Sequence, residues 1–260
     1  MDLHLHGKIA LVTGGSSGIG LACARELADE GCDVALIARD RERLAAAAAE
    51  LAVTGRKIVS IAADLSCGDE IKRAVFEATA ALGQIDILVN SAGAARGGLF
   101  AEVDDAAFTE AWELKVLGYI RMTRAVIPGM IERRNGNIIN IVGGSGRLPF
   151  VGFLTGSTAN AALLNFTRGI SKELAPHNVR INAVSPGITA TERTQRLLEQ
   201  LKDPAKSVDE ARAEVSRSIP LGRQVLPSEI AAAVAFLVSD RSASTTGTEL
   251  LVDGGLVPTI

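Results

Sequence analysis

The sequence predicts an α/β protein: one doubly wound domain over residues 1–260, with a seven-stranded parallel sheet covered by helices on both faces. Three observations predict it. Short apolar runs recur along the chain, longer segments with helical spacing separate them, and no linker, repeat or low-complexity stretch divides the 260 residues. Strand–helix alternation implies parallel pairing with helical crossovers. The runs are almost wholly apolar rather than alternating, as expected of strands buried on both faces.

The strands are expected at Lys8–Thr13, Asp33–Ala38, Lys57–Ala62, Ile85–Asn90, Asn137–Val142, Val179–Ser185 and Glu249–Val252. Helices are expected at Gly18–Glu30, Arg41–Leu51, Asp69–Leu82, Asp104–Arg133, Ala159–Leu174 and Pro227–Val238. Asp40 stands where an N-cap would precede the alanine-rich second helix. Pro227 and Glu229 place a proline and an acid in the first turn of the last helix. Residues 189–218 are the least patterned stretch and are rich in charge. Lying beyond a strand end, they read either as a substrate lid or as a solvated helical insertion.

Composition narrows the function. The chain is 47% hydrophobic with a formal net charge of -3, so it has no basic surplus for a nucleic-acid backbone. No run of about 18 apolar residues is available to span a membrane, and Met1–Lys8 does not read as a signal peptide. Cys23, Cys32 and Cys67 form no disulfide framework or metal cluster, and His4, His6 and His177 lack a clustered third ligand. The expectation is a cytoplasmic protein without a metal, acting on a small molecule. The single tyrosine, Tyr119, limits the available catalytic designs.

Directly after the first strand comes Thr13-Gly14-Gly15-Ser16-Ser17-Gly18-Ile19-Gly20, and a helix follows. Glycines at 14, 18 and 20 allow a tight turn and a close approach of backbone to a pyrophosphate, and the helix N-terminus supplies N–H donors. In this context the turn predicts a Rossmann-type dinucleotide site. An acid at the end of the second strand would bond a ribose 2′-hydroxyl and repel a 2′-phosphate. Here Ala38 and Arg39 stand there, with Arg41 and Arg43 close by, which favours NADP(H) over NAD(H). Arg39 as a solvated charge is the alternative.

With these motifs in view, nearly the whole chain resembles the short-chain dehydrogenases/reductases. Asp64-Leu65 looks like the pair that packs on adenine. Asn90-Ser91-Ala92-Gly93 is similar to the NNAG turn with one substitution. Pro186-Gly187-Ile188-Thr189, continuing to Thr191, resembles the motif beside the nicotinamide amide, and Thr246-Gly247 through Gly255 the C-terminal signature. The resemblance implies homodimers or homotetramers, with residues 104–133 and 255–260 as contacts.

It also implies a tyrosine acid, a lysine four residues later, a serine about 13 residues earlier, and an asparagine on an earlier helix. At the matching positions stand Gly156, Asn160, Gly143 and Lys115. Glycine at both hydroxyl positions predicts extra room beside the substrate. Asparagine and lysine have exchanged places, so Lys115 is expected to supply charge or the proton near Asn160, with Ser145, Thr155 or Ser157 as the hydroxyl. Alternatively Lys115 pairs with an acid such as Glu110. Three functions follow: an NADP(H)-dependent oxidoreductase with a non-standard acid/base set, a nucleotide-binding pseudoenzyme, or a non-redox isomerase or lyase.

Overall fold

The computed structural model describes residues 2–201 and 207–258; residues 202–206 of the charge-rich stretch, and 259–260, lie outside the described residues. The chain begins β1 (Ile9–Thr13), α1 (Gly18–Asp29), β2 (Asp33–Ala38), α2 (Arg41–Leu51), β3 (Ile58–Ala62), α3 (Gly68–Leu82) and β4 (Ile87–Asn90). It continues α4 (Asp105–Ala111), α5 (Gly118–Arg133), β5 (Gly136–Ile141), α6 (Leu154–Leu174) and β6 (Val179–Pro186). The last elements are α7 (Glu192–Leu201), α8 (Val208–Ser218), α9 (Pro227–Val238) and β7 (Glu249–Val252). All seven expected strands form, and they pair in parallel in the order β3-β2-β1-β4-β5-β6-β7. The order reverses between β1 and β4, and the strand ends beyond that switch point form the ligand crevice of such sheets.

The all-apolar strands are explained by two cores. Ala10, Val12, Val34 and Leu36 face one side, packing with Leu27 of α1 and with Ile230 and Val234 of α9. Their neighbours Leu11, Ala35 and Ile37 face the other side, against Ile71 of α3 and Met122 of α5. Alternate side chains therefore enter opposite cores. Each buried Leu or Ile contributes about 1.5–3 kcal/mol relative to exposure.

Helix boundaries follow local chemistry. The Asp40 carboxylate accepts hydrogen bonds from Glu42 N and Arg43 N, both at 3.0 Å, capping α2 as its sequence implies. Pro227 opens α9, and the Glu229 carboxylate accepts from the Leu226 N–H at 2.8 Å. Two expectations are corrected. The segment 104–133 is not one regular helix, because a π-helical turn, Trp112–Leu117, separates α4 from α5. α6 begins at Leu154 rather than Ala159, its first turn closed by Ser157 N to Phe153 O at 3.0 Å and Thr158 Oγ1 to Leu154 O at 2.9 Å.

Buried amides tie together the elements that lead to the crevice. Asn90 of β4 stands opposite Asn140 of β5, and its Nδ2 donates to Asn140 Oδ1 at 3.0 Å. Asn140 Nδ2 in turn donates to Thr167 Oγ1 of α6 at 2.9 Å. All three residues are buried. The chain holds β4, β5 and α6 in one relative position. Replacement of Asn140 with alanine leaves the buried Asn90 Nδ2 only the Thr123 hydroxyl at 3.5 Å, and the expected loss is about 1–3 kcal/mol of unfolding free energy. A lowered urea midpoint at unchanged slope is the measurement that checks it.

Candidate active site

Beyond the carboxyl ends of the central strands lies a cleft of about 880 Å³, a size suited to a cofactor with its substrate. Gly14, Ser16, Ser17, Gly18, Ile19 and Gly20 form one part of its lining. Gly14 has φ +66°, and a Cβ there would stand 3.0 Å from the Ala92 backbone, so this close approach of the β1 turn to the β4 turn requires glycine. Thr13 Oγ1 clamps the same junction by accepting from Ser91 N at 3.0 Å and Ala92 N at 3.1 Å. α1 opens onto the cleft with no side chain capping its N-terminus and no acid in its first turn. Its free N–H groups and positive dipole end suit a phosphate.

Arg39 and Leu65 also line the cleft, as do Ala92 and Gly93 and the run Pro186, Gly187, Ile188 and Thr189. Asn90 and Asp64 are placed differently. Asn90 is fully buried in the amide chain described above. The Asp64 carboxylate turns to Ser66, whose N–H and hydroxyl hold it below the ordinary carboxylate range, with the Arg39 charge adding to the effect.

At the other end of the cleft, Lys115, Asn160 and Ser145 come together. The π turn carries Lys115, whose stem runs beside Gly93. Such turns recur where a helix must re-aim a functional side chain. Lys115 Nζ donates to Val142 O at 2.5 Å and to Asn160 Oδ1 at 2.6 Å. Asn160 Nδ2 donates to Ser145 Oγ at 2.8 Å. Three polar groups are thus joined in one line of donors, and the Ser145 hydroxyl keeps its own proton to offer.

The acids that might have paired with Lys115 are engaged elsewhere, Glu110 with Arg96 at 3.5 Å and Glu113 with Arg121 at 2.8 Å. Burial, reinforced by the charge of Arg193, pulls the Lys115 pKa down to about 7. Thr155 donates to Arg96 O, and Ser157 is buried without lining the cleft, so Ser145 alone of the three candidate hydroxyls joins Lys115.

The expected empty volume at Gly143 and Gly156 is not there. A Cβ on Gly156 would lie 2.2 Å from the Phe153 ring, which already fills that place. A Cβ on Gly143 would lie 2.8 Å from Asn160 Nδ2, and φ +125° at Gly143 disfavours any side chain. Tyr119 is 1% exposed, donates to Ile141 O at 3.1 Å, and has its phenol pushed up by burial; it belongs to the core.

Sequence reasoning missed Phe153, Glu192 and Arg193. The Arg193 guanidinium donates to Gly93 O at 2.8 Å across the cleft. Its only signal was the charge density of residues 189–218.

A family model described as short chain dehydrogenase matches residues 8–202. The chain is 37% identical to the 3-oxoacyl-[acyl-carrier-protein] reductase FabG of Aquifex aeolicus over 98% of this chain and 100% of that protein. It is 38% identical to the acetoacetyl-CoA reductase of Allochromatium vinosum over 96% of this chain and 98% of that protein. Among solved structures, L-sorbose reductase from Gluconobacter frateurii, complexed with NADPH and L-sorbose, superposes with a TM-score of 0.95 at 32% identity, covering 100% of both chains.

The packing around Asn160 makes a side chain at position 143 harmful. Gly143→Ser forces a side chain onto φ +125° and against the Asn160 amide. The expected cost is about 1–3 kcal/mol, read as a lower denaturation midpoint.

Proposed function

This chain belongs to the short-chain dehydrogenase family, and on that premise we propose that it is an NADP(H)-dependent oxidoreductase whose acid/base group is Lys115. The substrate is a small molecule bearing a carbonyl or, in reverse, an alcohol. The observation that carries this reading is the donor line Lys115–Asn160–Ser145 in a cleft without a phenol. In this reading Gly143 and Gly156 replace the family's serine and tyrosine, and Asn160 and Lys115 are its lysine and asparagine exchanged.

When bound, the nicotinamide gives or takes the hydride. The protein's residues do the rest. The α1 N-terminus and the turn Gly14–Gly20 bind the pyrophosphate, and Arg39, beside the small Ala38, binds the 2′-phosphate. During reduction, negative charge grows on the substrate oxygen. The Ser145 O–H donates to that oxygen, and a Lys115 N–H delivers the proton, leaving a neutral amine that regains a proton from water. Asn160 fixes both partners. An amine with a pKa of about 7 is close to the optimum for donating and regaining a proton at neutral pH.

The three relatives described above are reductases by name, which supports turnover over a nucleotide-binding pseudoenzyme or a non-redox isomerase or lyase. The proposal includes a lid formed by α7 and α8, supported by the contact of Arg193 with Gly93 O. It includes a cytoplasmic location, and a homodimer or homotetramer supported by the shallow apolar depression that Phe108, Trp112 and Leu117 line on the α4–α5 surface. Among the described residues no helix is long and apolar enough to cross a membrane, and no cluster of metal-ligating side chains occurs.

Titration followed by reduced-nicotinamide fluorescence is expected to show tighter binding of NADPH than of NADH. In a carbonyl panel followed by loss of nicotinamide absorbance, Lys115→Met is expected to lower kcat by about 10²-fold or more while NADPH still binds. Lys115 is an ammonium below its pKa, so the wild-type reduction rate should fall as pH rises through about 7. Unchanged turnover in Lys115→Met contradicts the assignment.

A further inference from the structure

Two consecutive residues at the start of α7 reach across the cleft to different rims. Arg193 goes to Gly93 O beside Lys115. Glu192 goes the other way: its Oε2 accepts from Arg43 Nη2 of α2 at 2.8 Å. The same carboxylate oxygen accepts from Arg196 Nη2, one turn along α7, at 3.1 Å. Ala38, Arg39, Arg43 and Glu192 all line the cleft at this end. A carboxylate carried by the roof therefore holds an arginine on the rim assigned to the adenosine phosphate.

We infer that Glu192 is a nucleotide-responsive latch: it occupies Arg43 until a 2′-phosphate takes its place, at a cost in affinity borne by NADP(H) alone, so that NADP(H), and not NAD(H), releases this end of α7. The inference rests on the NADP(H) reading above. A 2′-phosphate offers a guanidinium a more highly charged partner, with more acceptor oxygens, than one carboxylate oxygen does. The pair it must break is exposed, with side chains 41% and 68% accessible, and exposed ion pairs are worth little. Arg196 remains to neutralise Glu192 after Arg43 leaves, which lowers the cost of the exchange. A 2′-hydroxyl has no charge with which to compete, so the NAD form leaves the latch closed. Asp40 fixes the Arg43 backbone by accepting its N–H, and only the side chain needs to swing.

The test is a set of fluorescence titrations with NADPH and NADH on the full chain as wild type, Glu192→Gln, Arg43→Gln and the double variant. Thermal melts confirm that each variant is folded. Glu192→Gln is expected to tighten NADPH about two- to fivefold, the scale of an exposed ion pair, and to leave NADH unchanged. In the Arg43→Gln background the same change should give no gain for NADPH. Equal shifts for both nucleotides, weaker NADPH binding in Glu192→Gln, or a gain that persists without Arg43 overturns the inference while leaving the NADP(H) reading intact. A wild type that prefers NADH or binds neither nucleotide overturns both.

Discussion

The Lys115 end of the cleft depends on one amine held by two neutral acceptors, with no carboxylate partner among the described residues. Val142 O and Asn160 Oδ1 fix Lys115 Nζ in direction, yet neither supplies the negative charge that would keep its proton in place. Burial and the Arg193 guanidinium both oppose that charge. The surrounding residues then make sense as supports for it. Gly93 lets the lysine stem pass, Gly143 leaves room for the Asn160 amide, and the π turn aims Lys115 at the β5 end. A lysine paired with an acid would be pinned as a cation, whereas burial and the Arg193 charge lower the Lys115 pKa.

The rest of the molecule keeps those few atoms in register. Lys115, Gly143 and Asn160 sit on three separate stretches of chain. Asn90, Asn140 and Thr167 lock the strands and helix that carry two of them and the turn that borders the third. Electrostatics runs along the cleft as well. An uncapped helix N-terminus, Arg39 and Arg193 make its lining favourable to anions despite a formal net charge of -3 over the whole chain. A negatively charged dinucleotide meets its complement where the sheet order reverses.

The sheet was legible in the sequence because apolar runs buried on both faces leave a strong signal, and the β1 turn because strand, glycines and helix must follow one another. The gathering of Lys115, Asn160 and Ser145 was an expectation drawn from family resemblance, and the hydrogen bonds bring the three side chains together. Other features depend on side-chain packing and long-range contact. The Phe153 ring filling the space over Gly156 follows from the early start of α6, which the weak helix formers Thr155, Gly156, Ser157 and Thr158 hid. Asn90 stood out only as part of the turn after β4, and the strand register shows that its amide faces Asn140. Glu192 and Arg193 lay in a stretch whose charges gave no period to read.

The most direct test is the titration of Lys115 itself, followed through its ζ-nitrogen chemical shift in ¹⁵N-lysine-labelled protein and assigned by the signal lost in Lys115→Met. A midpoint at about 7 is the predicted result. A midpoint near the ordinary lysine value of about 10.4 would contradict the account, because the amine would then be a fixed cation unable to exchange its proton in the working pH range.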